Sequence, residues 1–403
     1  GRRRRDGGDG LPLQAEAPQT LKMSVDVWMR EAPLIDAEFG NPRQRFSLVA
    51  DTGSATLWVM GEDCHACDLE DAGPAAKHRR FSGTSSESFR PNVKDGVVEK
   101  CFVKYGTGSM TGVFGSETLH VGQVSVDGLE IVVATNVTDP LDGLPSSGIL
   151  GLGFTGVTKP LPGRPCFLET LLKQYGHKMA EPVFSFVFFS DGRTDPDGEL
   201  VIGEMQGDFY PGGPHWVEIL RTPQPGNNPP RYGFWLVPLD VIEISYGLDS
   251  LVFKSHAALV DSGTVCIGAP RRDYRAIKEL ADTRRKFGAS YSFTIGGRVF
   301  EANEGEWCLF AVDLDYWILG HCFHRTFHVS YDFGSRPPRI ALPRHGSRVA
   351  RWDLATKIEV GVIVFSSIVF CLSMSVIVCD SCCSRDSDTR PRGRLAPPVV
   401  RDS

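Results

Sequence analysis

Two short stretches of this 403-residue chain repeat one arrangement, Asp51-Thr-Gly-Ser54 in the first half and Asp261-Ser-Gly-Thr264 in the second. Each follows a mainly apolar approach, Phe46-Ser-Leu-Val-Ala50 before the first acid and Ala257-Ala-Leu-Val260 before the second. A carboxylate at the end of an apolar strand, on a tight turn that glycine permits, is a group held in place for chemistry. Two such groups brought together cannot both ionise cheaply, so they share a proton. The ionised member then draws a proton from a bound water, and the protonated member donates to the carbonyl oxygen under attack. Water is activated this way with neither a metal nor a covalent nucleophile. Asp51 and Asp261 are the predicted pair, and the titration belongs to the pair rather than to either residue. The duplication extends beyond the acids. Gly148-Ile-Leu-Gly151 follows the first turn and Trp317-Ile-Leu-Gly320 the second, which predicts two similar lobes facing one another.

The elements that must position these turns read mostly as strands. Residues 97–105 alternate in part, 111–121 follow the Gly106/Gly108 turn, and 129–134 are a β-branched run. The stretch 183–189 is apolar nearly throughout, as a strand buried on both faces should be, and 234–244 with 257–260 continue the β content. Residues 292–300 read as a hairpin about Gly296-Gly297. Two segments look helical: Phe167–Tyr175, stopped by Gly176 as a C-terminal cap, and 272–287, with Tyr274, Ile277, Leu280 and Ala281 on one face. Residues 221–231, with their Pro and Asn clusters, form an exposed loop. Hydrophobic content of 41% and charged content of 23% are ordinary for a globular protein, and the length suffices for two cores. A net charge of −6 gives no footprint for nucleic acid.

The whole pattern resembles the pepsin family of aspartic proteases over residues 33–343. The resemblance rests on Asp51-Thr-Gly-Ser-Ala-Thr-Leu-Trp58, Tyr105-Gly-Thr-Gly-Ser-Met-Thr-Gly112, Ser147-Gly-Ile-Leu-Gly-Leu-Gly153, Phe184-Ser-Phe186, Val260-Asp-Ser-Gly-Thr264 and Trp317-Ile-Leu-Gly320. It implies an all-β, bilobal fold with a few short helices, endopeptidase activity on peptides or proteins, and no cofactor or metal. Gly53 and Gly263 let the backbone turn under each carboxylate, where a Cβ would crowd the partner lobe. By resemblance, the Ser54 and Thr264 hydroxyls bond the outer carboxylate oxygens. Tyr105, Gly106, Thr107 and Gly108 form a flap over an extended substrate, and the Trp58 indole supports the flap tyrosine. Val49 and Ile149 are candidates for an apolar primary pocket.

Cysteine usage is less decisive. Seven of the 11 cysteines precede residue 360, and an odd number leaves at least one outside an intramolecular pair. Cys64-His-Ala-Cys67 could be half a metal knuckle, but no second matching pair follows. The family resemblance favours a small disulfide loop, Cys64 with Cys67 or one of them with Cys101. The second half departs from the family. The interval from Asp261 to Ile318 is little more than half that from Asp51 to Ile149, so a stretch is missing between 287 and 307. In the family that stretch carries the cysteine that pairs with the position of Cys308. Cys308 is therefore expected unpaired and Cys266 a buried thiol. His321 stands where the family has an acid. The shortened lobe is what supports the alternative, a non-catalytic peptide-binding protein displayed on a membrane.

Residues 360–379 carry no charge and lie between Glu359 and Asp380, the length of a bilayer-spanning helix. Arg385, Arg390, Arg392, Arg394 and Arg401 beyond them place the tail in the cytoplasm. The expectation is a single-pass type I membrane protein of the secretory or endomembrane pathway or the cell surface, its lobes lumenal or extracellular. That side permits disulfides and glycosylation of Asn136 in Asn136-Val-Thr138. Cys379, Cys382 and Cys383 border the span, where the readings are S-palmitoylation or unmodified juxtamembrane thiols. Without an initiator Met, and opening on Arg2 to Arg5, the sequence reads as a mature or trimmed form of a zymogen, the arginines a remnant of a processing site or of a basic prosegment. The expected order is a prosegment remnant at 1–20, lobes at 21–190 and 191–345, a linker at 346–359, the span at 360–379 and the tail at 380–403.

Overall fold

The computed structural model describes residues 20–28, 32–64, 67, 79–105, 108–121, 124–138, 141, 146–156, 165–189, 197–222, 229–255, 257–284, 288–302, 308–344 and 376–378. Strands dominate them. Where a strand has one buried face the sequence alternates, as in Ser109–Val121, whose Met110, Phe114, Leu119 and Val121 point inward. Where a strand lies between others it is apolar throughout and wholly buried, as in Leu57–Met60.

The acid turns sit in matching frameworks. Gln44–Asp51 ends in the first acid and Leu57–Met60 leaves the turn. The strand Gly148–Gly151 inserts between them, parallel to the first (Ile149 opposite Val49) and antiparallel to the second (Ile149 opposite Trp58). In the other half Ala258–Val260 enters the turn, Ile267–Pro270 leaves it, and Trp317–Leu319 inserts between them in the same two senses. Each exit strand gains a further parallel neighbour, Val124–Val137 in one half and Leu309–Val312 in the other. The Ile-Leu-Gly repeat is thus the strand that clamps each acid turn from inside its sheet.

A platform joins the halves. Leu21–Trp28, Gly198–Ile202, Val183–Phe188, Ser330–Asp332, Arg339–Leu342 and His215–Glu218 pair in that order within a 15-stranded sheet. It draws strands from the beginning, middle and end of the described chain, and so spans the 190/191 boundary expected between lobes. Phe184 stacks on Tyr331 at 4.6 Å in its centre, and Trp235 meets both rings edge-on. The hairpin expected about Gly296-Gly297 joins Ala289–Ile295 to Arg298–Ala302, with both glycines at positive φ, 57° and 74°.

Three α-helices are described: α1 (Phe167–Tyr175), α2 (Arg271–Thr283) and α3 (His321–Thr326). Helix α1 matches its expected bounds, but Gly176 is right-handed (φ −55°) and carries the chain into a 3-10 turn, Gly176–Lys178, rather than capping it left-handed. Helix α2 buries only Ile277 fully, and its expected last residues 285–287 lie outside the described ones. Helix α3 was not expected. Six residues are too few for a periodic signal, and its start is set by distant backbone: His321 N–H donates to Thr264 O at 2.5 Å and Cys322 N–H to Val265 O at 3.1 Å.

Among the described residues no helix is long and apolar enough to cross a membrane. The span expected at 360–379 lies outside them except for Val376–Val378, which is extended and pairs with Phe102–Lys104. The terminal segments 1–19, 345–375 and 379–403 are likewise outside, with Cys379, Cys382 and Cys383 among them.

Candidate active site

Both acids are fully buried where the two halves meet. Each turn folds back on its own carboxylate. Gly53 N–H donates to Asp51 Oδ1 at 2.8 Å and Ser54 Oγ donates to Asp51 Oδ2. Gly263 N–H donates to Asp261 Oδ1 at 3.0 Å and Thr264 Oγ1 to Asp261 Oδ2 at 2.6 Å. The glycines mark how closely the turns approach. A Cβ on Gly53 would lie 2.5 Å from Asp261 Cγ, and one on Gly263 would lie 2.4 Å from Asp51 Oδ1. Each glycine therefore faces the opposite acid, and no larger residue fits at either position.

Electrostatics follow from this packing. Burial, and next the charge of Asp261, push the Asp51 carboxyl well above the usual carboxylate range; the hydrogen bond from Ser54 pulls the other way. A proton is thereby retained on the pair under conditions in which a solvated aspartate is ionised.

Two residues that sequence reasoning passed over hold the turns together. Thr52 Oγ1 donates to Val260 O at 2.9 Å and accepts from Ser262 N–H at 2.8 Å. Ser262 Oγ donates to Ala50 O at 2.7 Å and accepts from Thr52 N–H at 3.0 Å. Four hydrogen bonds thus cross between the halves about a local two-fold. The signal was present in the sequence, a hydroxyl residue directly after each acid, but its meaning depends on the turns facing each other.

Tyr105 ends the strand Lys100–Lys104, and its hydroxyl accepts the Trp58 indole N–H at 2.7 Å. Both side chains are buried in a cluster with Val49, Ile149, Met110 and Phe114. Burial, then the nearby Asp51 charge, hold the phenol well above its ordinary range, so Tyr105 stays a neutral hydrogen-bonding group. Gly106 and Thr107 lie outside the described residues. Asn136 is exposed and stands opposite Thr111 in the strand that continues from Tyr105 and Gly108.

The disulfide expectations are corrected in part. Cys64 pairs with Cys67, and Cys101 is buried in the same cluster without forming a disulfide. Cys266 is not a buried thiol nor Cys308 unpaired: they form a disulfide, with Cα atoms 4.9 Å apart. Sheet register explains it. Ile267 stands opposite Leu309 in a parallel pair, so the residues just before them are brought side by side. His321 is buried, and neither ring nitrogen has a hydrogen-bond partner.

Comparison with known proteins agrees with this arrangement. The sequence profile of the eukaryotic aspartyl proteases matches residues 34–294, which include both acid turns. Cathepsin D of Gallus gallus is 29% identical over 274 residues, covering 66% of this chain and 60% of that protein. Napsin-A of Mus musculus is 29% identical over 344 residues, 77% of this chain and 76% of that protein. Pepsin A of Gallus gallus is 25% identical over 321 residues, 73% and 79% respectively.

Proposed function

The chain belongs to the eukaryotic aspartyl protease family, and from that premise we propose that Asp51 and Asp261 hydrolyse peptide bonds in peptides or proteins as one proton-sharing pair. The observation that carries the reading is the mutual approach of the turns, each glycine set against the opposite carboxylate. Water held between the acids loses a proton to the ionised one, and the other donates to the scissile carbonyl oxygen. The attack gives a tetrahedral intermediate directly, with no acyl-enzyme. Ser54 and Thr264 orient the outer oxygens and favour ionisation of one acid. Tyr105, backed by Trp58, supports a flap whose tip, Gly106 and Thr107, closes over an extended substrate. Val49 and Ile149, paired in register and in the same buried cluster as Tyr105, form the floor of an apolar pocket.

Cleavage of a peptide library across pH, with and without a statine-type inhibitor, tests this reading. Turnover in acid that is blocked by the inhibitor and lost in Asp51→Asn or Asp261→Asn is expected. Near-wild-type turnover in either variant would refute the pair.

The proposed setting is a membrane-anchored enzyme with its lobes lumenal or extracellular, divided as the sequence suggests. The charge-free run 360–379 and the arginines beyond it support this, as do two disulfides suited to an oxidising compartment. Retention of the full-length chain in membranes through carbonate washing, with release on truncation before Lys357, is the expected result; full-length protein that washes off removes the anchor.

A further inference from the structure

The strands Ser109–Val121 and Val124–Val137 pair antiparallel as far as Val137 opposite Met110, and on the other side Lys104 stands opposite Ser109. One residue further along the same register, Thr138 faces Ser109. Here the ladder closes in an unusual way. Thr138 N–H donates to Ser109 O at 2.9 Å, as an antiparallel pair requires. The return bond, from Ser109 N–H, goes to the side chain, Thr138 Oγ1, at 2.8 Å. The Thr138 carbonyl that would ordinarily receive it accepts Leu141 N–H at 2.9 Å instead. Leu141 is buried in the same cluster as Tyr105 and Trp58.

We propose that Thr138 is a positioning residue for Tyr105: its hydroxyl stands in for the ladder carbonyl, fixes Ser109, and through Gly108 holds the Tyr105 phenol at the Trp58 indole.

A hydroxyl meets this need because it accepts and donates at one atom. Its lone pair takes Ser109 N–H, and its own proton is directed to Ser109 O at 3.4 Å or to Ser109 Oγ at 3.3 Å. Ser109 is covalently joined to Gly108, whose carbonyl accepts Tyr105 N–H at 3.1 Å. The Tyr105 hydroxyl accepts the Trp58 indole N–H at 2.7 Å. Strand ends with fewer bonds open first, so a Ser109 N–H without its acceptor loosens the end of the strand one residue away from the carbonyl that holds Tyr105. A shift of a few tenths of an ångström there carries the Tyr105–Trp58 bond out of good geometry.

Thr138 is half-buried at the end of the sheet, so replacing it opens no cavity in the core. Thr138→Val keeps the branched shape and removes the hydroxyl, whereas Thr138→Ser keeps the hydroxyl and removes the methyl. Thr138 also completes the sequon at Asn136, which Thr138→Val destroys. Asn136→Gln separates the two effects, since it removes the acceptor of any sugar and leaves the Thr138 hydroxyl in place.

Two readouts on the full-length protein test this role. The first is the Trp58 indole N–H resonance, assigned by its loss in Trp58→Phe. Tyr105→Phe removes the acceptor and gives the unbonded position. Thr138→Val should move the resonance toward that position, and Thr138→Ser and Asn136→Gln should leave it unmoved. The second is kcat/KM. It should fall about tenfold in Thr138→Val, the worth of one hydrogen bond whose loss strands a donor, and stay within about twofold of wild type in Thr138→Ser and Asn136→Gln. Adding Thr138→Val to Tyr105→Phe should cost less than about twofold more, because the bond through which Thr138 acts is already gone. An unmoved indole resonance in Thr138→Val overturns the proposal, and so does a Thr138→Ser variant that behaves like Thr138→Val. Losses that multiply in the double variant show independent packing effects and overturn it as well. The kinetic role rests on Asp51 and Asp261 being the catalytic pair. The indole resonance needs no turnover, so the same dependence on Thr138 in Asp51→Asn keeps the two claims apart.

Discussion

Thr52→Val is the sharpest perturbation of the site, because it keeps the shape of the side chain and removes only the hydroxyl. Two hydrogen bonds go with it, the donation to Val260 O at 2.9 Å and the acceptance from Ser262 N–H at 2.8 Å. Thr52, Ser262 and Val260 are all fully buried, so water does not replace what is lost. Each stranded buried group costs about 1–3 kcal/mol, which gives about 2–6 kcal/mol for the variant. Against a typical total of about 5–15 kcal/mol this is a large fraction. Urea unfolding at fixed pH reads it as a lower midpoint with an unchanged slope, since the surface exposed on unfolding is the same. Turnover should fall further than stability alone accounts for. The hydroxyl holds one acid turn against the other, and a displacement of about 1 Å at a catalytic group can cost on the order of a hundredfold. Ser262→Ala, which loses the mirror-related bonds to Ala50 O and Thr52 N–H, should behave alike. A midpoint shift worth less than about 0.5 kcal/mol, with kcat/KM within about twofold, would refute the reasoning.

Other expectations are as direct. Asp51 binds its proton more tightly in the folded state than in the unfolded chain, so its contribution to stability is present in acid and is lost as pH rises from the ordinary aspartate range through its raised value. The melting temperature of Asp51→Asn should accordingly fall less than wild type as pH rises. His328 has the opposite sign: neutral in the fold down to about 3, it costs stability progressively as pH falls below 6.5, and His328→Phe should flatten that acid limb in melts from pH 6.5 to 3.5. Tyr105→Phe keeps the buried ring but strands the Trp58 indole N–H, at about 1–3 kcal/mol, and should lower kcat/KM if the bond sets the flap; unchanged kinetics would leave Tyr105 a packing residue. Replacing Cys266 and Cys308 together by Ala should cost about 3–4 kcal/mol by loop-closure entropy, seen as a lower urea midpoint that a reductant does not lower further through this bond.

What the sequence by itself determined was whatever is encoded locally or by repetition. The twin acid turns, the twin Ile-Leu-Gly strands, the strand expected over 111–121 and the hairpin at Gly296-Gly297 each carry their signal within a few residues. That was enough for the fold class and for the two acids as a candidate pair. Tertiary structure decided everything that depends on which distant segments meet. Cys266 meets Cys308 because a crossover sets Ile267 opposite Leu309, and neither cysteine's neighbours announce that register. Helix α3 exists because two of its backbone N–H groups find the carbonyls of Thr264 and Val265. Thr52 and Ser262 are ordinary turn residues until two turns face each other. A strand pattern records which face is buried. It does not record which chain lies against that face, because many partners satisfy the same burial and only closure of the whole sheet selects one.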